Sequence, residues 1–179
     1  MSVALLVIDV QRALCEGETA TFEAERVIER INAAALLARA AGAPVVFVQH
    51  EAADDDFRHG GEGWQLARGL DVRPEDLRLR KTATDSFHRT ELAAVLERHG
   101  VTSLAVCGMQ SDFCVDTTTR RALALGYPVQ LIADGHTTVD NGVLPAELIS
   151  RHHTATLTNI SSFGVRAVAV TAAEVDFDR

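Results

Sequence analysis

Lysine is almost missing from this chain. Of the 17 basic residues among 179, a single one, Lys81, is a lysine and the rest are arginines. Acidic residues number 25, so the net charge is −8; with no Lys/Arg cluster to offset it, this argues against a general nucleic-acid binder. The three cysteines, Cys15, Cys107 and Cys114, cannot all pair and show no CxxC spacing. Neither a disulfide scaffold nor a zinc ribbon is indicated. GxGxxG and GxxxxGKS/T are both missing, which ranks a nucleotide- or cofactor-binding module low and implies no cofactor. No apolar run is long enough for a membrane span, and the start MSVALLVID lacks a basic n-region, so a cytoplasmic protein is expected. Internal repeats, low-complexity tracts and linkers are absent as well. Residues 1–179 read as one domain, with the 47% hydrophobic and 23% charged composition of an ordinary globular protein.

What is present alternates between two periods. Val3–Ile8 is continuously apolar, as a strand buried on both faces would be, and ends at Asp9. Residues 22–41 carry Val27, Ile28, Ile31, Ala34 and Ala35 at helical spacing and stop at Gly42. Val45–Gln49 is a second strand with His50 at its end. Residues 51–73 form a long irregular excursion, read as a lid or pocket wall, that contains Asp54–Asp56, His59 and the lone Trp64. Leu77–Lys81 alternates, so Lys81 shares a strand face with Leu77 and Leu79 and must be paired or neutral. A helix through Leu92, Val95 and Leu96 follows, capped by Thr90. Strands are expected at Ser103–Met109, Pro128–Ala133 and His153–Ile160, with a short helix over Pro145–His152 and a terminal helix opened by Thr171–Glu174. This order gives an α/β fold: a three-layer α/β/α sandwich around a six-stranded, mainly parallel sheet. Strands of such a sheet end on one side, which gathers Asp9, His50, Lys81 and the turn before Cys114 along one edge.

That turn is the most informative stretch. Ser103–Met109 reads as a buried strand, Gln110-Ser111-Asp112 as a polar turn, and the chain from about Cys114 to Gly126 as a helix. A cysteine at the handover from strand to helix meets free N–H groups and the positive end of the helix dipole, which favour a thiolate. Acyl transfer needs a nucleophile beside N–H donors of this kind.

Three segments, VIDVQ with Asp9, RKTATDSF with Lys81 and GMQSDFCVDTTTRRALALGY with Cys114, together resemble the isochorismatase-like cysteine hydrolases. The resemblance implies a catalytic triad at Asp9, Lys81 and Cys114, a non-proline cis peptide between Met109 and Gln110, an oxyanion hole from the Gln110 and Cys114 backbone N–H groups, and a homo-oligomer, dimer or tetramer. It further implies hydrolysis of a C–N bond in a small amide, ureide or lactam through a Cys114 thioester. TDSFHRTEL and FCVDTTTRRA are most similar to the streptothricin-hydrolase-like branch. Nicotinamidases of the superfamily carry Asp-x-His after the second strand; Gln49-His50-Glu51 lacks it, so no metal and no nicotinamidase activity are expected. Isochorismatases proper usually lack the cysteine. Gln11, His50, Trp64, Phe87 and Phe113 are the candidate walls of the substrate pocket. A catalytically silent or thiol redox-sensing oligomer is the alternative on the same fold.

Overall fold

The computed structural model describes residues 2–53 and 56–178. Six strands, β1 (Ser2–Ile8), β2 (Val45–His50), β3 (Leu77–Lys81), β4 (Val101–Met109), β5 (Val129–Thr137) and β6 (Ala167–Val170), form one sheet in the order β3-β2-β1-β4-β5-β6. Every pairing is parallel. The helices are α1 (Arg12–Cys15), α2 (Ala24–Ala40), α3 (Leu92–Arg98), α4 (Asp116–Ala124) and α5 (Ala146–Asn159), with a single π turn at Ser111–Val115.

The period of two in the apolar strands explains the layers. In β1, Val3, Leu5 and Val7 join a core with α2, while Ala4, Leu6 and Ile8 join a second core with α3, α4 and Leu157 of α5. Both faces of the strand are covered, so its run is continuously hydrophobic rather than alternating. Arg39, at the end of α2, bonds Asp76 (2.7 and 3.1 Å) and Asp71 (2.9 Å). This clamp fixes the segment that leads into β3.

Two expected elements differ. His153–Ile160 is not a strand: α5 runs from Ala146 to Asn159, with Pro145 before its first turn, and β6 lies further on. Its threonines suggested a strand, but Ala146, Ile149 and Leu157 are buried at helical spacing. The Thr154 and Thr158 hydroxyls bond back to the Ser150 and Thr154 carbonyls (both 2.9 Å), which accommodates β-branched residues in a helix. Nor does Thr171–Glu174 open a terminal helix. Glu174 accepts from the Thr171 N–H (3.1 Å) and hydroxyl (2.8 Å), but only a turn forms. Val175 and Phe177 then enter the core, and Gln130 exchanges two hydrogen bonds with the Asp176 backbone.

Strand order reverses between β1 and β4, and a crevice outside the carboxyl ends of the strands is expected at such a switch point.

Candidate active site

Asp9 follows directly on β1. Its backbone is left-handed (φ 51°), a conformation that aspartate tolerates better than most residues, and its N–H is held by the Val48 carbonyl at 2.8 Å. Lys81 ends β3 beside His50 of β2. The alternation along β3 turns Arg78 and Arg80 to solvent and buries Lys81. After β4 the chain passes through a cis Met109–Gln110 bond into the π turn, which carries Cys114.

These three side chains meet. Lys81 Nζ donates to Asp9 Oδ2 at 2.6 Å, to Cys114 Sγ at 3.2 Å and to the Ala83 carbonyl at 3.1 Å. An ammonium has three protons, and these three acceptors are the nearest to take them, with His50 Nδ1 a fourth neighbour at 3.5 Å. Both members of the ion pair are fully desolvated, so each is tolerable only because of the other. Asp9 Oδ1 is buried with no hydrogen-bond partner among the described residues. It is thus a free acceptor on a residue that lines the cavity above the group.

The cavity holds about 200 Å³ and is lined by Asp9, Leu14, His50, Phe57, Thr84, Gln110, Phe113 and Cys114. His50 and Phe113 are among the walls expected from the sequence; Gln11, Trp64 and Phe87 are not walls. Gln11 is buried and clamps the backbone of His50 from both sides, Nε2 to the carbonyl (2.9 Å) and Oε1 to the N–H (2.7 Å). Trp64 contributes its carbonyl, which accepts from Gln11 (3.0 Å) and Gln49 (2.9 Å), and its ring meets His59 edge-on. It anchors the long loop. Phe87 stacks on Tyr127 at 6.0 Å and packs against the second core. Phe57 and Thr84 were missed because each reaches the cavity from an irregular segment, and Leu14 because α1 has only four residues, too few to show a period. Of the acidic loop, Asp54 and Asp55 lie outside the described residues. Among the described residues no group of three His, Cys, Asp or Glu side chains is placed to hold a metal ion.

The thiolate expected at Cys114 needs correction. Burial first, and then the Asp9 charge, push its pKa up to about 12, against the opposing pull of Lys81. The α-helix begins only at Asp116, two residues beyond the cysteine. Losing the thiol proton to solvent would leave a buried site with net charge −1, whereas moving it to Asp9 keeps the site neutral. Cys114 therefore rests as a thiol. Burial also pushes Cys15 up to about 12 and raises Cys107 further.

Behind the π turn lies a second polar group that the sequence did not reveal. His136 of β5 is buried, and its Nδ1 lies 2.7 Å from Ser111 Oγ and its Nε2 2.9 Å from Thr154 Oγ1. Burial, and more weakly the His153 ring, lower its pKa to about 4. The unfolded chain binds this proton below about pH 6.5, the folded chain only below about 4, so stability is full above 6.5 and is lost as the pH falls toward 4. We expect unfolding free energy from urea titrations to drop by about 2 kcal/mol between pH 7.5 and 5 through this group, at about 1.4 kcal/mol per pH unit. The drop should shrink by that amount in His136→Asn; an unchanged drop would mean the ring is not held neutral.

In a six-stranded parallel α/β sandwich, a cysteine, a lysine and an aspartate thus meet beside a cavity at the switch point of the sheet. The chain belongs to the isochorismatase family, whose isochorismatase domain matches residues 3–173. It is 42% identical over 157 residues to a streptothricin hydrolase of Streptomyces noursei, an alignment covering 83% of this chain and 56% of that protein. This chain thus spans little more than half the length of that relative. It is 34% identical to the isochorismatase family protein YddQ of Bacillus subtilis, over 89% of this chain and 93% of that one. A crystal structure of an isochorismatase family protein superposes with a TM-score of 0.85 at 35% identity, covering 94% and 98% of the two chains.

Proposed function

We propose that this protein is an amidohydrolase that opens a C–N bond of a small amide, ureide or lactam through a thioester on Cys114. The observation that carries the reading is the Lys81 ammonium, held between Asp9 and Cys114, both of which line the cavity. As the substrate carbonyl settles against Cys114, the thiol proton passes to Asp9, and Lys81 stabilises the thiolate through the transfer. Sulfur adds to the carbonyl carbon, and the oxyanion is received by the Gln110 and Cys114 backbone N–H groups. Among the described residues, no hydrogen bond uses the Gln110 N–H. The intermediate collapses as the C–N bond breaks and Asp9 returns its proton to nitrogen, leaving a thioester and an amine or ammonia. Water then attacks the thioester and gives its proton to Asp9. The carboxylic acid departs, and Cys114 regains its proton.

Leu14, Phe57 and Phe113 make the approach largely apolar, and the volume of about 200 Å³ suits the reacting end of a small molecule. The relationship to a streptothricin hydrolase supports an amide-type bond. The test is release of ammonia or amine across a panel of primary amides, ureides and lactams, with Cys114→Ala as the control. Turnover of at least one class that vanishes in the variant is expected. Turnover that survives in Cys114→Ala contradicts the reading.

A further inference from the structure

The protons around His136 can be assigned one by one. The Thr154 hydroxyl donates to the Ser150 carbonyl (2.9 Å), so at His136 Nε2 it can only accept, and Nε2 carries the ring proton. Nδ1 of the neutral ring is then an acceptor, and the Ser111 hydroxyl 2.7 Å away must be its donor. Ser111 Oγ in turn accepts from the Ser150 hydroxyl at 2.9 Å. Every proton in this closed ring of four residues has a place. The network ties the Ser111 side chain to β5 through His136 and to α5 through Ser150.

Ser111 follows Gln110 and precedes Cys114 by three residues in the π turn. The turn closes on the Gln110 carbonyl, which accepts from the N–H groups of Phe113 and Val115, both at 3.1 Å. His136 stands on β5 directly opposite Gly108 of β4, so it reaches the turn from the neighbouring strand. We infer that His136 is a positioning residue: through its Nδ1 bond to Ser111 it sets the place of the π turn, and with it the Gln110 and Cys114 N–H groups that receive the oxyanion. This rests on the catalytic reading of Cys114 given above. The bond to Thr154 supports the ring from α5 and fixes its tautomer. The bond to Ser111 acts on the reaction.

Two amides separate these bonds. In His136→Asn the side-chain carbonyl takes the place of Nδ1 and can accept from Ser111, while the Thr154 bond is lost. In His136→Gln the longer side chain reaches toward Thr154, while the Ser111 bond is lost. Each removes one buried hydrogen bond, so both should lose similar stability, and thermal unfolding checks this. With the panel amide that the parent hydrolyses fastest, His136→Asn should keep kcat within about threefold. His136→Gln and Ser111→Ala should lose about 10–100-fold in kcat with KM within about threefold, as small misplacements of catalytic groups do. Iodoacetamide alkylation of Cys114, which needs no oxyanion hole, should change by less than about threefold in all three.

Equal kcat in the Asn and Gln variants would overturn the inference, as would alkylation falling in step with kcat. Should neither His136 variant fold, Ser111→Ala decides alone, and parental kcat there overturns it. A Cys114→Ala control that keeps turnover would sink the catalytic reading itself. Parental kcat in His136→Gln, in an enzyme whose Cys114→Ala is dead, sinks only this inference.

Discussion

Replacing Asp9 by Asn should lower kcat/KM by about 10²–10⁴-fold, the usual span for loss of a general acid–base, while making Cys114 easier to alkylate. The opposite directions follow from the charges. In the parent, burial and the Asp9 carboxylate keep the thiol protonated, with a pKa pushed up to about 12. The amide removes the anion and leaves Lys81 as the dominant charge, 3.2 Å from sulfur. The Cys114 pKa then falls, because one of the two causes that raise it is gone, and a larger fraction of the thiol ionises beside Lys81 at a given pH. Iodoacetamide at pH 7 should label Cys114 faster than in the parent. Turnover is nonetheless lost, because no group remains to protonate the departing nitrogen or to take a proton from water. The variant should fold. Breaking a buried pair outright costs about 3–5 kcal/mol, so the variant should be less stable than the parent, but the asparagine oxygen can still accept from Lys81 and asparagine tolerates the left-handed backbone of position 9 (φ 51°). Near-parental turnover, or slower labelling, would show that Asp9 is a structural partner of Lys81 and no proton shuttle.

The second large effect is on the fold. Gly108 lies in β4 with φ +118°, a region that L side chains rarely adopt, and it pairs with Ile8 of β1. A Cβ there would stand 2.1 Å from the Ile8 carbonyl oxygen and 2.6 Å from its nitrogen. Both contacts are with backbone, so no rotamer change relieves them, and the two central strands would have to part just before Asp9 and the cis bond. Gly108→Ala should therefore be insoluble or unfold about 6–20 °C below the parent, as a loss of roughly 3–5 kcal/mol in a chain of this size would give. Gly126→Ala, at φ +89° with nothing within 4 Å of its Cβ, is the control. It carries only the local strain of about 1–2 kcal/mol. Equal melting temperatures for the two variants would mean that β1 and β4 do not approach as closely as described.

The parts of this molecule that were legible in the sequence are those whose signal is periodic. The buried β1 run, the spacing along α2 and the alternation that turns Lys81 inward each follow from one residue and its near neighbours. Parallel strands ending on one side then bring Asp9, Lys81 and Cys114 together. What failed depended on partners distant in the chain. The threonines of α5 satisfy strand and helix patterns equally, and burial of Ile149 and Leu157 decides between them. Gln11 and Trp64 are polar and aromatic residues near the site, as pocket walls would be, yet they serve the backbone of His50 and the loop. The thiolate was misjudged because desolvation, invisible in a sequence, outweighs Lys81 in setting the Cys114 pKa. His136 gave no signal at all, since a lone histidine in a strand says nothing of the two hydroxyls on either side of its ring.

The central claim is covalent: the acyl group passes through Cys114. Its most direct test is the mass of the protein, quenched in acid during steady turnover of an amide from the panel, followed by fragmentation of the peptide that contains Cys114. The account predicts an added acyl group on Cys114 that disappears when substrate is exhausted. Full turnover with Cys114 unmodified throughout, or the adduct on another residue, would contradict it.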